Sequence, residues 1–125
     1  MIGLTLDAGA LIAFERNDRK LTLLLDEVRD AKLEIVVPAG VVAQVWRDGR
    51  RQARLARLLA LSEVELEPLD ELRARQAGQL CALTKTSDVI DASVVVCARA
   101  RRHSIATSDP DDLRRLDPKL ELIEV

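Results

Sequence analysis

The chain is poor in aromatic side chains: among 125 residues there is one Trp, one Phe and no Tyr. That shortage argues against RNA recognition by base stacking, which needs several exposed rings. It also makes the core aliphatic, built from Leu, Val, Ile and Ala. Only two cysteines occur, Cys81 and Cys97, with no CxxC pair and no nearby His. Zinc-site spacing is therefore absent, and both read as reduced, buried thiols. The single histidine, His103, has no Ser or Cys nucleophile beside it in the sequence, so it reads as structural rather than catalytic. No GxGxxG follows a strand-like run, which removes dinucleotide binding. No leader-like segment precedes the first strand and no apolar run is long enough to span a bilayer, so a cytoplasmic protein without a membrane partner is expected. Charge of one sign is also lacking: 19 basic and 21 acidic residues leave a net −2. Bulk charge does not mark a nucleic-acid binder, and the distribution has to be read instead.

What the chain has is apolar material, 48% of it, enough for a real core in one domain over residues 1–125. Short apolar runs at Ile2–Leu6, Lys32–Val37, Val64–Leu66, Ser104–Thr107 and Leu120–Val125 read as strands. The Val64–Leu66 run alternates with glutamates and so reads as half-exposed. Segments Ala8–Phe14, Arg19–Val28, Gly40–Trp46, Arg51–Leu61 and Leu72–Leu83 read as helices, the second with Leu21, Leu24, Leu25 and Val28 at helical spacing. The segment Val89–Ala98 (VIDASVVVCA) is two-sided. Its three consecutive valines favour a strand, while its length and Arg99-Ala100-Arg101 continuation favour a buried helix, with Ser87 as N-cap. A helix is expected here. Strands alternating with helices predict an α/β fold: a single three-layer domain with a mainly parallel five-stranded sheet flanked by helices.

The acidic residues stand out within this order. Asp7 follows the first strand, and Asp109, Asp111 and Asp112 follow the fourth within four positions. In an open parallel sheet, functional groups gather beyond the carboxyl ends of the strands. If the first and fourth strands are neighbours, Asp7 and Asp109 share one edge. Asp91 sits among Ile90, Ala92, Val94 and Val95, where an unpaired charge is expensive, and Asp88 lies three residues before it. Carboxylates gathered this way resist joint ionisation unless a hard cation neutralises them. Magnesium and manganese suit carboxylate and water oxygens, and a cation so held supports phosphodiester hydrolysis. Asp7 and Asp109 each also admit a plain helix-capping reading.

These residues carry a resemblance. LDAGALIA at Leu6–Ala13, VIDASVVVCA at Val89–Ala98 and IATSDPDDL at Ile105–Leu113 resemble the PIN-domain family, and most of all its VapC-type ribonuclease toxins. The likeness covers essentially the whole chain, in order and spacing. It implies a PIN-like fold, a Mg2+- or Mn2+-dependent endoribonuclease, an RNA substrate, a small cognate antitoxin and a homodimer. Residue by residue it implies metal binding by Asp7, Asp91 and Asp109, with Asp112 as a catalytic auxiliary. One departure is visible. The family places a Glu in the helix after the second strand, and here that position is Gln44, which can coordinate but carries no charge. Asp88, close to Asp91, is a candidate to compensate.

Arginines Arg47, Arg50, Arg51, Arg54 and Arg57 recur at one-, three- and four-residue steps. Arg47, Arg51 and Arg54 are candidate contacts to RNA phosphates or to an acidic antitoxin segment; a solvated helix face is the other reading. Thr107 and Ser108 are candidates to orient water or a substrate phosphate, or to cap the next helix. Arg99, Arg101, Arg102 and His103 fit a helix C-terminus that favours cations. Trp46 reads as packing against a helix or a dimer partner. Two other functions compete with the nuclease. A catalytically weakened module that still binds RNA or antitoxin follows from Gln44. A phosphoacceptor signalling domain would need an acceptor Asp after the third strand, where Pro68-Leu69-Asp70 stands, and a Lys after the last, and the absent late Lys argues against it.

Overall fold

Strand β1 (Gly3–Leu6) lies at the centre of a five-stranded sheet because β2 (Glu34–Pro38) and β4 (Ser104–Thr107) pair with it on either side. The outer strands are β3 (Val64–Glu67), beside β2, and β5 (Leu122–Glu124), beside β4, giving the order β3-β2-β1-β4-β5 with every pair parallel. The computed structural model describes residues 1–125. Helices α1 (Ala8–Glu15) and α2 (Arg19–Asp30) connect β1 to β2, and α3 (Ala39–Val45) and α4 (Ala53–Leu59) connect β2 to β3. Helices α5 (Glu71–Thr84) and α6 (Val89–Arg101) return the chain across the sheet to β4, and α7 (Pro110–Leu116) leads to β5. Right-handed crossovers running in opposite directions along the sheet put the two sets of helices on opposite faces. The three-layer α/β architecture expected from the alternation is the one observed. The strand order reverses between β1 and β4, so a crevice opens beyond their carboxyl ends.

The core is aliphatic, as the scarcity of rings requires: Leu4, Leu6, Leu11, Leu21, Ile35, Val37 and Ile105 are buried within it. Helix α6 runs through it with Ala92 to Ala98 all buried. Val94, Val95 and Val96 are therefore helical against their β preference, because a two-sided buried slot of 13 residues accepts a helix. Its cap is Asp88 and not Ser87: Asp88 Oδ1 accepts the Asp91 N–H at 2.9 Å.

Two other expectations need correction. The arginine run does not lie on one helix. Helix α4 begins only at Ala53, and Arg47, Arg50 and Arg51 occupy the preceding loop, where the Gln52 side chain accepts the N–H groups of Arg47 and Asp48. The alternation in β3 is also reversed at its end: Leu66 is exposed and Glu67 buried. Arg101 and Arg73 explain this, holding Glu67 at 3.2 and 3.4 Å. Arg101 also binds Glu34 at 2.6 Å and pairs with Glu65. His103, lowered in pKa by burial, is neutral beside them; its Nε2 donates to Glu34 and its Nδ1 accepts from the Thr5 hydroxyl at 3.0 Å. Gly3 makes room, since a Cβ there would stand 2.4 Å from His103 Nε2.

Candidate active site

Four structural pieces bring the carboxylates together. Asp7 follows β1 and donates its N–H to Ala106 O of β4 at 3.3 Å, so it sits at the β1/β4 boundary. Its side chain also caps α1, with Oδ1 accepting the Ala10 N–H at 2.9 Å. Capping and site roles coexist here, because one carboxylate has several acceptor positions. Asp109 follows β4 but does not cap α7 with its side chain. Its own N–H is held by Thr107 Oγ1 at 2.9 Å, which fixes the loop. Asp112 lies in the first turn of α7 and Asp91 in the first turn of α6.

Gly9 lets these pieces close. A Cβ on Gly9 would stand 2.0 Å from Ser108 Oγ and 3.2 Å from Ser108 N. The start of α1 and the loop after β4 therefore touch backbone to side chain, and Asp7 and Asp109 flank that contact. Gly40 does the same between α3 and α6: a Cβ there would meet Ile90 Cδ1 at 2.6 Å. Gln44 lies one turn beyond Gly40 on the same side of α3 and is exposed.

The electrostatics record the crowding. Burial raises the Asp7 carboxyl above its ordinary 3.8; the Thr107 hydroxyl and the Ala10 N–H oppose the rise, and Asp109 adds to it. Asp91 is pushed from 3.8 to about 7, first by burial and then by the charges of Asp88, Asp7 and Asp112. Asp109 is raised by its hydrogen bond with Asp112, then by burial and the nearby charges of Asp112 and Asp111. The largest influences of neighbouring charge on these three groups come from other acids.

A cavity of about 290 Å³ opens beside Asp91 and Asp112, and Asp7 and Asp109 stand outside its lining. Lys85, at the end of α5, and Arg115, near the end of α7, line it with them. No local sequence signal marks these two as partners, since they are brought together only by the packing of α5, α6 and α7. The predicted arginines are placed elsewhere. Arg54 donates Nε to Phe14 O at 2.8 Å and lies 4.4 Å over the Phe14 ring. Arg47 donates to the carbonyls of Ala43 and Trp46. Neither lines the cavity, nor does Arg51.

No group of three His, Cys, Asp or Glu side chains stands ready-made to hold a metal ion. The donor chemistry nonetheless fits a hard divalent cation: oxygen ligands only, with affinities for positive charge raised by burial and mutual repulsion. No helix is long and apolar enough to cross a membrane.

Comparisons with known proteins bear on this site. The chain is similar in structure to VapBC2 from Rickettsia felis bound to a fragment of promoter DNA, at 16% identity, with 98% of each chain covered and a TM-score of 0.75. It is similar to a toxin–antitoxin complex from Klebsiella pneumoniae, at 16% identity, 98% of this chain and 100% of that one, and a TM-score of 0.72. It is also similar to FitAcB from Neisseria gonorrhoeae, at 17% identity, 97% and 96% coverage, and a TM-score of 0.65. At these identities the likeness is one of fold. A search of curated proteins gave no match. The model of the PIN domain matches residues 4–119, a span that holds Asp7, Asp91, Asp109 and Asp112, and the chain belongs to the PIN domain family.

Proposed function

We propose that the protein is a divalent-metal-dependent endoribonuclease that hydrolyses RNA phosphodiester bonds, and that it is the toxin of a toxin–antitoxin pair acting in the cytoplasm. The observation that carries the proposal is Asp91. It opens an otherwise apolar helix, and its carboxyl is pushed to about 7 by burial and by Asp88, Asp7 and Asp112. Carboxyls gathered and raised in this way are a common mark of a functional site, and a hard cation would relieve their mutual repulsion.

In this reading Asp7, Asp91 and Asp109 hold the metal, and Asp112 assists from α7. A Mg2+ or Mn2+ ion there supplies the positive charge that activates water and offsets charge building on the phosphodiester. The protein's own part is positional. Gly9 and Ser108 set the spacing of the Asp7 and Asp109 segments, Thr107 Oγ1 fixes the Asp109 backbone, and Asp88 anchors the start of α6. With its carboxyl raised to about 7, Asp91 would hold a cation more tightly as the pH rises through neutrality.

The fold likeness to toxin–antitoxin assemblies supports an antitoxin partner. An apolar hollow of about 350 Å³ lined by Val42, Trp46, Ala56, Leu59 and Ala60, with Trp46 exposed, supports a homodimer contact on α3 and α4. Free buried thiols fit a reducing compartment. Gln44 favours the second reading, a weakened module that binds RNA or antitoxin without turnover. Cleavage of a structured RNA pool separates the two, run with Mg2+ or Mn2+ and again with chelator, for wild type beside Asp7→Asn. Metal-dependent cutting lost in the variant supports the nuclease. Binding of RNA without cutting by antitoxin-free protein supports the module.

A further inference from the structure

The acidic edge raises a problem for its own substrate. An RNA strand is a polyanion, and the carboxylates that attract a cation repel phosphates. The arginines of the loop before α4 and of α4 itself do not line the cavity at Asp91: Arg54 Nε is held by Phe14 O, and Arg47 and Arg51 lie outside it as well. Only two cations line that cavity, Lys85 and Arg115. We infer that Lys85 and Arg115 form a phosphate-binding subsite that seats the RNA backbone next to the bond to be cut. The inference rests on the nuclease reading above and names a substrate-holding pair within it.

The two residues reach the cavity from separate elements. Lys85 occupies the left-handed cap of α5 at φ 56°, and its N–H and that of Thr86 both bond to Cys81 O, so the backbone under the ammonium is pinned. Arg115 comes from the last turn of α7. Its only ionic partner is Asp112 at 4.0 Å, in a pair whose arginine side chain is 74% exposed. Such a pair is weak and readily exchanged for a phosphate, which a guanidinium binds in a bidentate manner. The cavity has one apolar liner, Leu116, and so offers no stacking face for a base. A ribose-phosphate unit suits its volume of about 290 Å³ and its charged, hydroxyl-bearing walls, including Ser87.

The test uses Lys85→Asn and Arg115→Gln. Asn tolerates positive φ, so the first removes charge without straining the cap. Arg75→Gln, on the exposed face of α5, serves as control. Binding of a fluorescent single-stranded RNA is measured across a salt series in the Asp7→Asn background, and kcat and KM are measured in otherwise wild-type protein. The subsite predicts roughly 5- to 10-fold weaker binding for each variant and a salt slope reduced by about 0.7 per charge, with KM affected more than kcat and the control unchanged. Wild-type affinity and salt slope in both variants overturn it. If the subsite variants weaken binding while wild type cuts no RNA, the subsite stands and the nuclease reading falls.

Discussion

Replacing Asp91 by Asn should stabilise the protein while abolishing cleavage. In the metal-free fold the Asp91 carboxyl titrates at about 7, against 3.8 ordinarily. Between those values the folded protein holds a proton that the unfolded chain releases, so wild-type stability falls as pH rises from about 4 to 7 and is level above. The full difference corresponds to roughly 4 kcal/mol. The carboxyl is only half-buried, and solvent screening leaves about 1–2 kcal/mol. Asn removes that cost and still offers a donor to Asp88. Urea unfolding with chelator present, at pH 4 and pH 8, measures the difference between variant and wild type, in which unrelated groups cancel. The expected result is near zero at pH 4 and about 1–2 kcal/mol in favour of the variant at pH 8. A difference that does not change with pH, or a variant less stable than wild type at pH 8, would refute the view that Asp91 is held at electrostatic cost.

Gly9→Ala should destabilise by about 1–3 kcal/mol through overpacking against Ser108, with cleavage reduced as Asp7 and Asp109 are pushed apart. Adding Ser108→Gly should restore part of the melting temperature, since only the 3.2 Å approach to Ser108 N then remains. Arg101→Ala should cost about 2–3 kcal/mol by chemical denaturation, because Glu34, Glu65 and Glu67 lose their common partner, and Glu67→Gln on top should recover some of it. Gln44→Glu should tighten manganese binding in a calorimetric titration; equal affinities would place residue 44 outside the site.

Much of this fold is legible along the chain, for local reasons. The strand Ser104–Thr107 is read to the residue because Pro110 and a run of acids stop it, and Arg19 marks the start of α2 because Asp18 caps it. The pairing of β1 with β4, on which the union of Asp7 and Asp109 depends, stays open in the sequence, because right-handed crossovers set the faces of the helices and not which strands are neighbours. What escapes is set by distant partners. The burial of Glu67 depends on Arg101, 34 residues on, and the contact of Arg54 with the Phe14 carbonyl and ring joins residues 40 apart. Lys85 and Arg115 line one cavity only because α5, α6 and α7 pack against one another. Capping is the intermediate case: Ser87 and Asp88 are both suitable by type, and only the hydrogen bond to Asp91 decides between them.

If the acids beyond β1 and β4 and at the head of α6 form one cation site that cuts RNA, metal binding and cleavage must fail together. Manganese binding by electron paramagnetic resonance, with RNA cleavage followed in the same samples, tests this in wild type and in Asp7→Asn, Asp91→Asn and Asp109→Asn. Wild type should bind manganese and cut, and each variant should lose affinity and cutting together. Manganese bound as tightly by all three variants as by wild type, or cutting that survives them, would contradict a shared site.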